Sequence, residues 1–120
     1  MKIAVSISSQ GPSSRVDPRF GRAKAFWVYD TVTGQGRTVD NMQSVNAPQG
    51  AGIQAAQTVV NAGVEAVITG NCGPKAFRVL SAAGIKLFTA IDVTAAEAVE
   101  ALVSGQLVQS DSATVESHWV

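Results

Sequence analysis

The second half of the chain alternates short apolar segments with amphipathic ones, and glycines separate them. Residues 65–69 (EAVIT) form a short apolar run that is typical of a buried strand, and a tight turn follows at residues 70–73 (GNCG). Pro74 suits the first position of a helix, and Gly84 is a plausible stop for it. Residues 85–88 then return as another strand. Such alternation predicts a sheet with helices packed on it.

The first half has the pattern of a strand meander interrupted by one long loop. Three strands are predicted, at residues 2–8, 25–30 and 37–41, and the third is short and polar enough to be an edge strand. Hairpin-turn residues fill 31–36. The loop at residues 9–23 is rich in Gly, Pro and Ser, and loops of that length are usually functional or disordered.

A helix is predicted from Ala51 to a stop at Gly63, with Ile53, Ala56 and Val60 on its buried face.

Thr94 and Glu97 form a capping-box pattern that begins a last helix, and residues 106–120 are expected to be an irregular tail or a docked arm. The complete order is β-β-β-α-β-α-β-α. It predicts an α/β fold with a five-stranded mixed sheet and flanking helices, and residues 1–120 as one domain.

Composition excludes several classes of protein. A chain of 120 residues with 46% hydrophobic residues is too apolar to be disordered. Nine basic residues balance nine acidic ones, which disfavours a general nucleic-acid binder. The apolar runs are too short for a signal peptide or a membrane span, and a single cysteine agrees with a reducing compartment. We therefore expect a cytoplasmic protein without nucleic-acid or membrane partners.

Charge is distributed unevenly along the chain. The long loop and its end carry Arg15, Arg19, Arg22 and Lys24, and Asp17 alone opposes them there. All charged residues after residue 86 are acidic. The pattern indicates a basic loop, unless the charges are simply scattered over the surface.

Two helix starts are candidate anion sites, at residues 50–52 (GAG) and 70–74 (GNCGP). Helix N-termini present unpaired backbone N–H groups and the positive end of the helix dipole. If the strands of these units are parallel neighbours, both turns lie at one edge of the sheet, which the basic loop can also reach. Neither turn matches the phosphate-loop or dinucleotide patterns, and the glycines could be turn residues alone.

Single reactive side chains are few. Cys72 lies just before a helix, where a thiol pKa is lowered and a soft metal can bind, unless the side chain is an inert hydrophobe behind the turn. His118 is the one histidine, and a lone histidine near the end of a chain is more often solvated than ligating. No catalytic constellation is evident, so an enzymatic activity is not supported.

Five segments resemble the nitrogenase iron–molybdenum cofactor biosynthesis family, which includes NifX and the C-terminal domain of NifB. They are MKIAV at the start, RFGRA at 19–23, GAGIQAA at 50–56, VITGNCGPKAFRVLSAAGIK at 67–86 and ESHW at 116–119. These segments extend over nearly the whole chain in the order typical of the family.

The resemblance implies a ribonuclease H-like three-layer fold and a non-enzymatic role. That role is to bind, carry or help assemble an anionic molybdenum-containing metal–sulfur cluster, of the molybdenum–copper sulfide or iron–molybdenum cofactor type, held non-covalently. Many members have histidine where this chain has Arg19 and Gln49, so charge and hydrogen bonding are favoured over imidazole ligation. The implied cofactor-binding residues are Arg19, Phe20, Gly21, Arg22, Gln49, Gly50, Ala51, Gly52, Gly70, Asn71, Cys72, Gly73 and Lys75, and the candidate metal ligands are Cys72 and His118.

A second interpretation is a regulatory or interaction module that binds a partner ATPase or an anionic metabolite at the same sheet edge. A cluster-accepting protein is a further expected partner, and we expect a monomer or a weak dimer. Repulsion among the arginines and a shortage of apolar contacts predict that residues 9–23 stay mobile until an anion binds.

Overall fold

The computed structural model describes residues 1–45 and 50–113, and these form six strands and four helices. The strands are β1 (Lys2–Ile7), β2 (Ala25–Asp30), β3 (Gln35–Asp40), β4 (Ala66–Thr69), β5 (Lys86–Thr89) and β6 (Gln109–Ser110). The helices are α1 (Met42–Val45), α2 (Ala51–Asn61), α3 (Pro74–Ala82) and α4 (Ala95–Val103).

The strands form one mixed sheet in the order β3-β2-β1-β4-β5-β6. The central strands β1, β4 and β5 are parallel, whereas β2, β3 and β6 each pair antiparallel with their neighbours. In the register of the sheet, Val5 lies between Trp27 on β2 and Ile68 on β4. The predicted mixed α/β class is confirmed, and the polar third strand lies at an edge of the sheet as expected.

The sheet separates two apolar cores because successive strand side chains point to opposite faces. The core under α2 and α3 includes Ala4 and Phe26. The core under α4 includes Ile3, Val5 and Ile7, the three residues of β1 that alternation placed on one face. Helices therefore cover both faces of the sheet, and the connecting loops occupy its two ends.

The buried face of α2 overlaps the predicted one only in part, because Ala56 is buried as predicted and Ile53 is not. Its buried side chains include Ala55, Ala56 and Val59, whereas Val60 is partly buried and Ile53 is 43% exposed. Alanine side chains are enough to fill the space between α2 and the sheet, so the larger residues are not needed there. Ile53 is consequently exposed in the first turn of the helix.

Two short elements depart from the prediction. The sixth strand, β6, pairs Ser110 with Leu87, so the expected five-stranded sheet is wrong and residues 109–110 are not an irregular tail. Helix α1 lies in a segment that the sequence indicates to be a loop. A two-residue strand and a four-residue helix are too short to contain a repeating hydrophobic period. No helix in residues 1–45 or 50–113 is long and apolar enough to cross a membrane.

Candidate functional site

The long loop between β1 and β2 crosses the edge of the sheet at which the parallel strands end. Its first part is tied to the start of α4, because the Val16 N–H donates to the Val93 carbonyl over 2.9 Å. Its second part is tied to the turn after β4, because the Phe20 N–H donates to the Asn71 carbonyl over 3.1 Å. The loop therefore extends from α4 to the start of α3.

Two glycines allow this loop to touch the backbone on both sides. A Cβ added to Gly21 would lie 2.8 Å from the Gly52 backbone nitrogen at the start of α2. A Cβ added to Gly70 would lie 2.6 Å from the Pro18 Cα. Only glycine permits such close approach. The expected meeting of the basic loop with both helix starts is present, whereas anion binding there stays a prediction.

A buried polar cluster lies beneath the loop at the ends of β1 and β4. The hydroxyl oxygens of Ser6 and Thr69 are 2.7 Å apart, and the Ser6 hydroxyl donates to the Asp17 carbonyl over 2.8 Å. The Asp17 N–H donates in turn to the Ser6 carbonyl over 2.7 Å. These bonds fix the middle of the loop to the two central strands. Sequence reasoning missed Ser6 and Thr69, because serine and threonine in strands carry no motif, and it recorded Asp17 only as a charge opposing the arginines.

The Asp17 carboxylate reaches from this cluster to Arg19. It accepts hydrogen bonds from the Arg19 backbone N–H (2.9 Å) and from the Ser8 hydroxyl (3.2 Å). The Arg19 Nε lies 3.8 Å from the same carboxylate, and the arginine side chain is 51% exposed while that of Asp17 is 7% exposed. Arg19 is therefore anchored at one end and presents the rest of its guanidinium to solvent.

Among the residues that the structure describes, no side chain caps the start of α2 or of α3. Their N-caps are Gly50 and Gly73, and neither helix has an acidic residue in its first turn. Helix α4 differs, because Thr94 and Glu97 form the predicted capping box, and the hydrogen bonds from Thr94 lower the pKa of Glu97. Helix starts of this kind can offer backbone N–H groups and dipole charge to an anion, and anion binding at these two stays a prediction.

Asn41, which follows β3, holds the end of the loop through side-chain hydrogen bonds. Its Nδ2 donates to the carbonyl oxygens of Ala23 (2.8 Å) and Gly21 (3.4 Å). It is fully buried, and its Oδ1 and the Oγ of Ser44 have no hydrogen-bond partner in the part of the chain that the structure describes. No motif marks Asn41, so its role emerges from tertiary contacts alone.

The sequence leaves Cys72 open to two interpretations, an activated thiol before a helix or an inert hydrophobe behind the turn, and the structure agrees with the second. The side chain is fully buried in the core under α2 and α3, with Sγ 3.6 Å from the carbonyl oxygen of Gly73. Burial raises the pKa of the Cys72 thiol to about 12. The expected lowering of its pKa is wrong, because desolvation outweighs the helix dipole when the side chain turns inward. Ligation of a metal by Cys72 remains a prediction.

The other predicted site residues occupy different environments. Arg19 and Lys75 are exposed, and Arg22 is half-buried. Phe20 is fully buried with its ring 5.3 Å from that of Phe26, so its side chain belongs to the core and does not face the sheet edge.

The residues Gly50, Ala51, Gly52, Gly70, Asn71 and Gly73 supply backbone at the two turns. Gln49 and His118 lie outside the described residues. Within residues 1–45 and 50–113, no group of three or more His, Cys, Asp or Glu side chains is placed to hold a metal ion.

The loop is held more firmly than its composition indicates. Four of its residues are buried: Ser14, Val16, Asp17 and Phe20. The loop also makes backbone hydrogen bonds to β1, to the turn after β4 and to the residue just before the N-cap of α4. The expected shortage of contacts is therefore wrong. Its few apolar residues turn inward, which a count of Gly, Pro and Ser does not reveal.

A family model described as dinitrogenase iron–molybdenum cofactor matches residues 1–105, a range that contains the loop and both helix starts. This chain belongs to the dinitrogenase iron–molybdenum cofactor family. Membership connects it with the binding or biosynthesis of that cofactor.

Proteins similar to this family member come from bacteria and archaea. The apo form of the orange protein from Desulfovibrio gigas superposes with a TM-score of 0.93 at 40% identity, over 95% of this chain and 96% of the other. A NifB-like protein from Thermotoga gives a TM-score of 0.83 at 35% identity, over 96% and 97%. An uncharacterised protein of Methanocaldococcus jannaschii is 30% identical over 109 residues, 89% of each chain.

Proposed function

We propose that this chain binds and carries, or helps to assemble, an anionic molybdenum-containing metal–sulfur cluster and catalyses no reaction. The observation that supports this most is the contact of the long loop at residues 9–23, here called the Arg19 loop, with the regions where α2 and α3 begin. The cluster is cargo in this proposal, and it binds at that edge of the sheet.

The chemistry of such a cargo fits the donors at the edge. A thiometallate cluster is bulky and soft, and its negative charge is spread over many sulfides that already coordinate its metals. Few protein ligands are then needed, and several N–H donors around a diffuse anion suffice. Arg19 and Lys75 supply positive charge, and the N-termini of α2 and α3 supply N–H groups. Cys72 stays protonated at neutral pH, in agreement with non-covalent binding.

The described part of the chain leaves the Cβ side of Gly50 open at the start of α2. A Cβ added to Gly50 would meet no atom of the described chain within 4 Å. Ile53, in the first turn of α2, is exposed as well. An exposed apolar side chain at the start of α2 favours a weakly hydrated sulfide anion, and it also provides a contact for a cluster-accepting protein.

Among the cargoes that the resemblance implies, we favour the molybdenum–copper sulfide type. The chain is 40% identical to the orange protein over nearly its whole length, which supports a role shared with that relative. The ribonuclease H-like topology implied by the resemblance and the expected monomeric or weakly dimeric state belong to the same proposal.

Reconstitution with tetrathiomolybdate and copper(I), followed by desalting, tests the proposal. We expect visible absorption to remain with the protein, together with molybdenum and sulfide at a constant ratio to the chain. Arg19→Ala with Lys75→Ala should lose most of the metal, whereas Lys86→Ala, which removes a cation at the opposite end of the sheet, should retain it. A colourless protein after desalting would favour the interaction module, and equal loss in the Lys86 variant would contradict the placement of the site.

A further inference from the structure

Arg19 is already in contact with an anion that belongs to the protein. The Asp17 carboxylate is 3.8 Å from the Arg19 Nε and accepts the Arg19 backbone N–H over 2.9 Å. The resemblance assigns no role to Asp17, and a buried negative charge is an unexpected component of a site for anions.

Asp17 cannot turn away from this position. Its backbone is tied to Ser6 at both its N–H and its carbonyl, and its carboxylate accepts the Ser8 hydroxyl over 3.2 Å. Arg19 is half exposed, so the guanidinium keeps donors for a ligand while its Nε end stays beside the carboxylate. An anion held by that guanidinium lies within roughly one Debye length of Asp17, about 10 Å at 0.1 M salt.

We infer that Asp17 competes with the cargo for Arg19, lowers the affinity for the anionic cluster and thereby favours its release to an acceptor. This inference rests on the proposed function. Asp17 acts through Arg19 as a positioning residue: it sets the direction of the guanidinium and neutralises part of its charge. The hydrogen bonds of Asp17 hold the loop in place, whereas its negative charge repels the anionic cluster at Arg19. A carrier needs such opposition, because a cargo bound too tightly is not transferred.

The substitution Asp17→Asn removes the negative charge of residue 17 and can keep its hydrogen bonds. The asparagine oxygen can still accept the Arg19 N–H, and its amide can still bond to the Ser8 hydroxyl. We expect this variant to bind tetrathiomolybdate about tenfold more tightly than the wild type, chiefly through slower dissociation. Glu100→Gln, which removes an exposed charge from α4, is the matched control and should change the affinity less than about twofold.

A double-mutant cycle shows whether the effect passes through Arg19. The gain from Asp17→Asn should fall below about threefold in an Arg19→Gln background. Affinity is measured by equilibrium dialysis of tetrathiomolybdate at low salt, and thermal unfolding confirms that each variant is folded. Asp17→Ser, whose hydroxyl also accepts the Arg19 N–H, replaces Asp17→Asn if that variant unfolds.

Unchanged or weaker binding by the folded Asp17 variant, or an equal gain with and without Arg19, would overturn the inference alone. If the wild type does not bind tetrathiomolybdate alone, the same comparison is made with copper(I) present. Failure of the wild type to bind molybdenum there too would overturn the proposed function and the inference with it.

Discussion

Cys72 lies in the core under α2 and α3, and burial there raises its pKa from the ordinary 9.0 to about 12. The folded state therefore holds this proton more tightly than the unfolded chain. The resulting stability is complete below pH 9 and is lost as the pH rises towards 12. Relative to Cys72→Ala, the wild type should lose up to about 1.4 kcal/mol per pH unit in this window. Urea unfolding of both proteins between pH 8 and 11 measures it, and parallel profiles would contradict the buried thiol.

Gly21 is the residue at which the loop touches α2 most closely. In Gly21→Ala the new Cβ would lie 2.8 Å from the backbone nitrogen of Gly52 and 2.9 Å from its Cα. Backbone atoms cannot move aside as the end of a flexible side chain can. We expect a loss of about 3 kcal/mol in the free energy of unfolding. Gly11→Ala is the control, because its Cβ meets nothing within 4 Å. That control should cost about 1 kcal/mol, from its left-handed backbone. Equal losses in the two variants would show that the loop does not rest on α2.

At the scale of elements, the start of α2 offers a test that isolates charge. Gly50 has a φ of 79° and open space beside it, and both Asn and Asp tolerate that backbone. Gly50→Asp adds a negative charge to the helix start, whereas Gly50→Asn has nearly the same shape without it. We expect the Asp variant to bind tetrathiomolybdate at least about tenfold more weakly than the Asn variant. Equal affinities, measured by dialysis, would remove the α2 terminus from the site.

The sequence predicted the long elements well and the short ones poorly. Strands of four to six residues and helices of nine or more contain enough positions for their hydrophobic period to appear. β6 has two residues and α1 has four, so contacts with β5 and with α2 decide them instead. The prediction for α2 is right at Ala56 and wrong at Ile53, because small residues such as Ala55, which count little in a hydrophobic pattern, are the ones that are buried.

At the scale of the whole molecule, the meeting of the loop with two helix starts follows from the parallel order of β1, β4 and β5, which strand–helix alternation predicts. The support for that arrangement does not follow from the sequence. The hydrogen bonds of Asp17 and Asn41 and the burial of Cys72 are set by the orientation of the loop and the turn in the folded chain. Short sequence motifs do not predict the orientation of a loop in the folded chain.

The firm anchoring of the loop changes what is expected of the molecule without cargo. The backbone N–H groups of Val16, Asp17 and Phe20 all have carbonyl partners outside the loop. We therefore expect these amides to exchange slowly in the apo protein, and binding to alter their protection little. Hydrogen exchange with and without tetrathiomolybdate measures this. Fast exchange at all three amides that slows on binding would restore the mobile loop that the composition predicts.

The central claim is that the cluster binds where the Arg19 loop meets the starts of α2 and α3. Backbone chemical-shift mapping during titration with tetrathiomolybdate and copper(I) tests it most directly. The account predicts the largest shifts at Arg19, at residues 50–53 and at residues 70–75, with little change elsewhere. Shifts confined to the hairpin turn at residues 31–34, or to α4, would contradict it.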